Sequence, residues 1–502
     1  MKANEAYDQL RSHFAETALL GSARALLGWD LRVLMPPKGV KFRAESLATL
    51  EGLLHRRITD PRVGEWLAAI EGNGFAKDPL SVEAVNVRWL RWEYDRETKI
   101  PDALVVELAR VTSLAEKEWE QARANSDFAR FKPWLDKVLN LTRERAQLLS
   151  RNGNLYDALL DEYEPGLTSK QVDTYFAPLR DGTVSLLKAI LGSGRKPDVS
   201  MLHRNFPRAA QQSFSQSVVA AFGFDFNAGR LDPTVHPFET RIAPGDVRIT
   251  TRYYEDFFNP AFFGTAHEAG HGLYEAGLPD EHYGTPAGHS TSLGVHESQS
   301  RTWENFVARS RPFWEYFFPK AQEAFESLRG VSLDTFVFAI NEVKPSTIRV
   351  EADELTYNLH ILLRYEIERA LIAGDLKTAD LPGAWNEKFK ASFGFAPPND
   401  AEGVLQDVHW SGGSLGYFPT YTLGNLYAAQ FVAKARKDLG DLDGQFRRGD
   451  FAPFLAWLRK NVHTQGMRYS APDLVEHVTG KPPSAAPLLD YLRTKFGALY
   501  GL

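Results

Sequence analysis

The apolar residues of this chain recur at helical spacing over most of its length. Leu10, Phe14, Ala18, Gly21, Ala25 and Gly28 stand three or four apart and define one stripe through residues 4–28, as an amphipathic helix requires. The stripe predicts a helix ending at Trp29-Asp30, ahead of Met35-Pro36-Pro37. Further helices are predicted over 42–58, 62–71, 79–99, 101–124, 128–151, 169–191 and 207–222. Pro101 and Pro133 are placed in first turns, where a missing N–H costs nothing. Trp89, Trp92, Trp119 and Trp134 are expected in the core, and the acid-rich stretch 156–166 reads as a solvated, helix-capping turn.

The period changes at 232–253, where proline, glycine and β-branched residues replace the helical pattern. Residues 246–253 alternate as a short strand does. They are expected to form an edge on which an extended peptide pairs, with Arg248 or Arg252 towards the peptide; an ordinary strand with solvated arginines fits the pattern equally. Helical spacing then resumes near 298–328, 334–343, 349–373, 423–439, 451–463, 472–479 and 485–500, and loop 277–293 reads as a mobile rim. Within 349–373, Arg349, Asp353, Tyr357 and His360 fall at intervals of four, four and three. Such a polar face on an apolar helix either lines a cleft, with Arg349 as a fixed positive charge, or forms a buried salt-bridge network.

These elements predict a mainly α protein: a large helical two-lobed body around a deep cleft, with a small β-sheet beside one functional helix. A single domain is expected over 1–502, with an N-terminal helical lobe to about 230, the chemical motifs over about 231–425 and closing helices from about 426. Composition agrees. The chain is 43% hydrophobic, enough for a sizeable core, and carries neither a long linker nor a block of like charge. A net charge of −6 makes no case for a nucleic-acid partner. With no apolar run approaching ~20 residues and no secretory apolar core at the N-terminus, a cytoplasmic protein outside the membrane is expected. The absence of cysteine excludes disulfides and limits metal binding to nitrogen and oxygen ligands.

The candidate chemistry lies in His267-Glu268-Ala269-Gly270-His271. Residues four apart share a helix face, so His267 and His271 can offer two imidazoles to one metal ion, with Glu268 beside them as a general base. Phe262, Phe263, Ala266, Gly270, Leu273 and Tyr274 supply the packing of that helix, and Gly277-Leu278-Pro279 stops it. A third ligand is needed. Glu297 is favoured over its neighbour His296, because adjacent helical residues diverge by about 100° and Arg301 lies one turn on to hold the carboxylate. His282 and His289 are expected outside the ligand set.

The segments 274–286 and 294–301 resemble the carboxypeptidase Taq family of metallopeptidases (M32). So do His236-Pro237-Phe238, Asp246-Val247-Arg248-Ile249-Thr250, Ile348-Arg349-Val350-Glu351-Ala352-Asp353 and the run Gly403 to Trp410. The resemblance reaches both ends, through Trp29-Asp30 and Pro487 to Leu492. It implies removal of residues from peptide C-termini with broad preference, one Zn2+ per chain with Co2+ as an alternative, and a homodimer. His236, Arg248 and Asp353, which stand within these motifs, are the further substrate-binding candidates.

The expected reaction is hydrolysis of a peptide that has a free C-terminal carboxylate. Zinc sits on His267, His271 and Glu297, and Glu268 is the base. Tyr417, Tyr421 or His409 steadies the oxyanion; His409 can alternatively pair with Asp407. Arg349 holds the α-carboxylate, since a guanidinium fork matches it with two parallel bonds. An endo-acting zinc oligopeptidase and a non-catalytic, zinc-stabilised peptide-binding protein are the alternatives; the intact Glu268 argues against the second.

Overall fold

The computed structural model describes residues 1–71 and 75–502, and it is mainly helical with one three-stranded sheet. The predicted helices recur closely: Ala3–Val33, Val40–Ile58, Pro61–Glu71, Val82–Lys99, Asp102–Asn125, Phe128–Leu149, Ser169–Gly192 and Arg208–Phe222. The first runs past Trp29 because nothing breaks it before Pro36, and Arg43 holds Asp30 in its last turn at 2.7 Å. Pro133 is not in a first turn. Asp127 caps the helix by accepting from the Arg130 N–H, which starts it earlier and leaves Pro133 inside.

The chain divides into two compact units, each gathered from three stretches. One comprises Met1–Thr98, Pro197–Ile340 and Ala428–Lys481. Its core is aromatic: Phe222 packs on Trp303 with ring centroids 4.5 Å apart, and Phe262 on Trp314 at 5.0 Å. The other comprises Lys99–Lys196, Asn341–Tyr427 and Pro482–Leu502. There Trp385, Phe389 and Leu359 are buried, and Leu489 seats so closely on Gly182 that a Cβ would meet it at 2.5 Å. Trp89, Trp92, Trp119 and Trp134 are only half-buried, contrary to expectation. Two of them spend their indole N–H on backbone carbonyls, Trp89 on Met467 and Trp119 on Leu405. The acid-rich stretch also departs from its expectation. It forms a helix, Leu155–Leu160, capped by Asn154, and is followed by a fully buried Glu164.

The sheet belongs to the first unit and runs β1 (Gly229–Pro233), β2 (Glu239–Ala243) and β3 (Asp246–Thr251), in spatial order β1-β3-β2. β3 pairs parallel with β1 and antiparallel with β2. The expected edge strand is therefore the central one. Both of its backbone edges are occupied, and it cannot pair with a peptide.

Candidate metal centre

The helix Phe258–Glu275 lies against the sheet at Gly272. A Cβ there would meet Ile249 and Val247 of β3 at 3.0 and 3.4 Å. Its aromatic side is anchored by Phe258 and Phe262 in the core. The helix Leu293–Arg301 crosses it at Gly270. A Cβ on Gly270 would lie 2.5 Å from Gln299 O and Ser300 Cα, so only glycine lets the two backbones approach this closely. That crossing brings Glu297 over the two histidines.

Glu297 Oε2 lies 3.6 Å from His267 Nε2 and 3.5 Å from His271 Nε2. A tetrahedral ion with bonds of about 2.05 Å needs donors about 3.3 Å apart, so the three side chains fit one divalent ion. Among the described residues they are the group able to hold one. As the spacing predicted, Arg301 Nε donates to Glu297 Oε1 at 2.7 Å. Burial alone would raise the Glu297 carboxyl, but Arg301 and the two imidazoles outweigh it and keep the group ionised. Burial pushes His271 down to about 3, which leaves a neutral imidazole, the form that ligates. Glu268, next to His267 and buried, is pushed up to about 7 by burial.

Residues that periodicity did not single out orient this group. Behind His267, Glu304 Oε2 stands 2.9 Å from Nδ1 and also accepts from Arg301 at 3.2 Å. Glu304 sits in a π-helical turn, Thr302–Ala308, that continues the Glu297 helix. Such turns are frequent at functional sites, but an ordinary helical pattern hides them. Behind His271 stands His296, with the two Nδ1 atoms 2.5 Å apart and His296 Nε2 2.9 Å from Glu275 Oε1. His296, the rival ligand, is thus one step removed from the ligand position. Loop 277–293 is tied down rather than a loose rim. Thr291 N donates to Tyr274 Oη, Ala287 N to Asn86 Oδ1, and residues 284–288 are buried. His282 and His289 lie outside the metal group.

Several substrate candidates turn out to be engaged elsewhere. Arg248 makes two bonds to Asp246 at 2.8 Å and lies over the Trp29 ring at 4.3 Å. Arg252 lies over Tyr254. His236 is exposed in the loop between β1 and β2. The polar helix face proves shorter than expected. Arg349 stands in a 3-10 turn, Arg349–Glu351, and the helix begins only at Tyr357, running to Ala373. Asp353 lies between them and accepts from the backbone N–H groups of Lys344, Leu355 and Thr356, which is a turn-building role.

In the second unit Arg349 is buried. Its Nε and Nη2 donate to Asp407 Oδ1 at 2.9 and 2.8 Å, Nη1 donates to Tyr357 Oη, and its backbone N–H donates to Gln406. Asp407 also takes Arg364 Nε at 2.7 Å. Two guanidinium groups therefore share one carboxylate and leave a buried excess of positive charge. Asp407 serves these arginines rather than His409. His409 Nε2 lies 3.4 Å from Tyr421 Oη, with the Tyr417 ring alongside. Burial pushes His409 down to about 4, so it is neutral near pH 7. Arg364 falls four residues after His360 on the same helix stripe, so the polar face extends one turn beyond the expected set.

The family described as Carboxypeptidase Taq (M32) metallopeptidase matches residues 9–496. The chain is 56% identical to thermostable carboxypeptidase 1 of Thermus thermophilus, covering 100% of both chains, and 42% identical to carboxypeptidase 1 of Bacillus subtilis, covering 99% and 98%. The crystal structure of the M32 carboxypeptidase of Deinococcus radiodurans superposes with a TM-score of 0.96 at 40% identity, covering 99% of this chain and 100% of that one. The carboxypeptidase of Pyrococcus furiosus superposes at 0.94 and 35% identity, covering 98% and 99%. The six motifs, the fold and the His-His-Glu group thus converge on one conclusion: this chain belongs to the carboxypeptidase Taq (M32) family of metallopeptidases.

Proposed function

We propose that this carboxypeptidase uses one Zn2+ per chain, replaceable by Co2+, held by His267, His271 and Glu297, and shortens peptides from the C-terminus with broad preference. The observation that carries this reading is the convergence of two Nε2 atoms on one carboxylate oxygen, 3.6 and 3.5 Å from it, beside a buried Glu268. The bound metal supplies a Lewis acid that acidifies the attacking water and polarises the scissile carbonyl. Glu268, poised near 7 by burial, accepts the water's proton and delivers it to the leaving amine. Arg349 is the cation for the substrate's α-carboxylate; Asp407 and Tyr357 fix its fork, and Arg364 adds to the positive excess. Tyr417, Tyr421 or His409 donates to the developing oxyanion. The active enzyme is a homodimer, as the family resemblance implies.

The test is incubation of a free-acid peptide with the purified protein, with and without a chelator, reading products by mass. A ladder shortened stepwise from the C-terminus and abolished by chelation is expected. Cleavage of the C-terminally amidated peptide at internal bonds would instead mark an endo-acting oligopeptidase. Glu268→Gln is expected to keep the metal while kcat falls by about 10²–10⁴; normal turnover in that variant would remove the assigned base.

A further inference from the structure

The two histidines of the metal group are backed differently. Behind His267 stands a carboxylate, Glu304, in direct contact with Nδ1. Behind His271 stands another imidazole. Its Nδ1 meets His271 Nδ1, and its Nε2 meets Glu275, 2.9 Å away. Glu275 lies at the end of the His267 helix, within 3.7 Å of Arg241 Nη1 on β2, and Arg241 Nη2 in turn holds Asp280 at 2.8 Å.

We infer that His296 is a positioning residue for the metal: it fixes the tautomer and ring plane of His271 through a relay that runs His271–His296–Glu275–Arg241. The inference rests on His271 being a metal ligand, as proposed above. Metal ligation sets the order of protons. With His271 Nε2 facing the metal position beside Glu297 Oε2, a ligating Nε2 carries no proton, so the proton of His271 is on Nδ1 and is donated to His296 Nδ1. That nitrogen must then be an acceptor, which places the proton of His296 on Nε2, where Glu275 accepts it. Each gap holds one proton, and no nitrogen in the chain is left without a role. Arg241, itself held by Asp280, stands as a cation beside the far end of Glu275. Ligand histidines owe their orientation and part of their basicity to such partners. Here one ligand is backed by a carboxylate and the other by an imidazole.

His296→Phe keeps a ring of similar size and removes both hydrogen bonds. His296→Gln retains one acceptor and one donor. Zinc affinity of the full chain is read by competition with a chromophoric chelator, and ligand geometry by the visible absorption of the Co2+-loaded protein. His296→Phe is expected to weaken zinc binding by about 10–100-fold and to change the Co2+ spectrum, while His296→Gln stays nearer the wild type on both readouts. If His296→Phe does not fold, Glu275→Gln tests the relay from its other end, with a smaller loss in the same direction expected. Wild-type affinity and an unchanged spectrum in the folded variants would overturn the inference. A wild-type chain that itself fails to hold zinc or cobalt would instead overturn the proposed metal site.

Discussion

A single methyl group at position 270 would close the space through which Glu297 reaches the two histidines. The Gly270 Cβ position is 2.5 Å from backbone atoms, and backbone cannot rotate away as a side chain can. Gly270→Ala is therefore expected to cost about 1–3 kcal/mol as an overpacked contact and to part the two helices. A lower thermal midpoint together with a zinc affinity at least tenfold weaker would bear this out; metal binding at the wild-type level would show that the crossing tolerates the shift. Arg349 carries a prediction of a different kind. Arg349→Lys keeps the charge but cannot make the two-pronged bond. It is expected to raise KM for free-acid peptides by tenfold or more while leaving metal content intact, as measured by steady-state kinetics and metal analysis.

The element with the most unusual burden is the helix Tyr357–Ala373. Tyr357, His360, Arg364 and Glu368 form one polar stripe along it, and all four are buried. Glu368 accepts from Trp410 Nε1, Gly416 N and Tyr156 Oη, yet burial still pushes its carboxyl up to about 7 from an ordinary 4.5. The folded protein thus holds a proton that the unfolded chain releases near 4.5. Between those values the native state binds more protons, so this group's contribution to stability falls as pH rises from 4.5 to 7 and is level above. Glu368→Gln mimics the protonated form. Relative to the wild type, its urea unfolding free energy should gain about 2–3 kcal/mol between pH 5 and pH 7.5. A difference that does not change with pH would exclude the buried proton.

At the scale of the whole molecule, each unit is assembled from three separated stretches of chain, so neither core exists until distant segments have met. The metal group belongs to one of them and joins two helices of its middle stretch. An ion that binds only the folded form stabilises it by mass action, by about 4 kcal/mol at a thousand times the dissociation constant. Chelation is therefore expected to lower the thermal midpoint, and excess zinc to restore it. His271→Ala should abolish the zinc-dependent part of that shift. A midpoint indifferent to chelator would mean that the fold owes the metal nothing.

By itself the sequence determined the helical class and most helix boundaries, and it put forward His267, His271 and Glu297 as candidates. All of these depend on residues within a turn or two of each other: apolar spacing, a His pair four apart, and an arginine one turn after its carboxylate. The tertiary structure decided what depends on distant residues. It placed 246–251 in the centre of the sheet, because pairing partners are not written in a strand's own alternation. It put Glu304 behind His267 through a π turn that helical spacing does not register, and His296 behind rather than at the metal position. It moved Asp407 from His409 to Arg349 and Arg364, since a carboxylate buried beside two guanidinium groups finds its strongest partners there, and only folding brings them together.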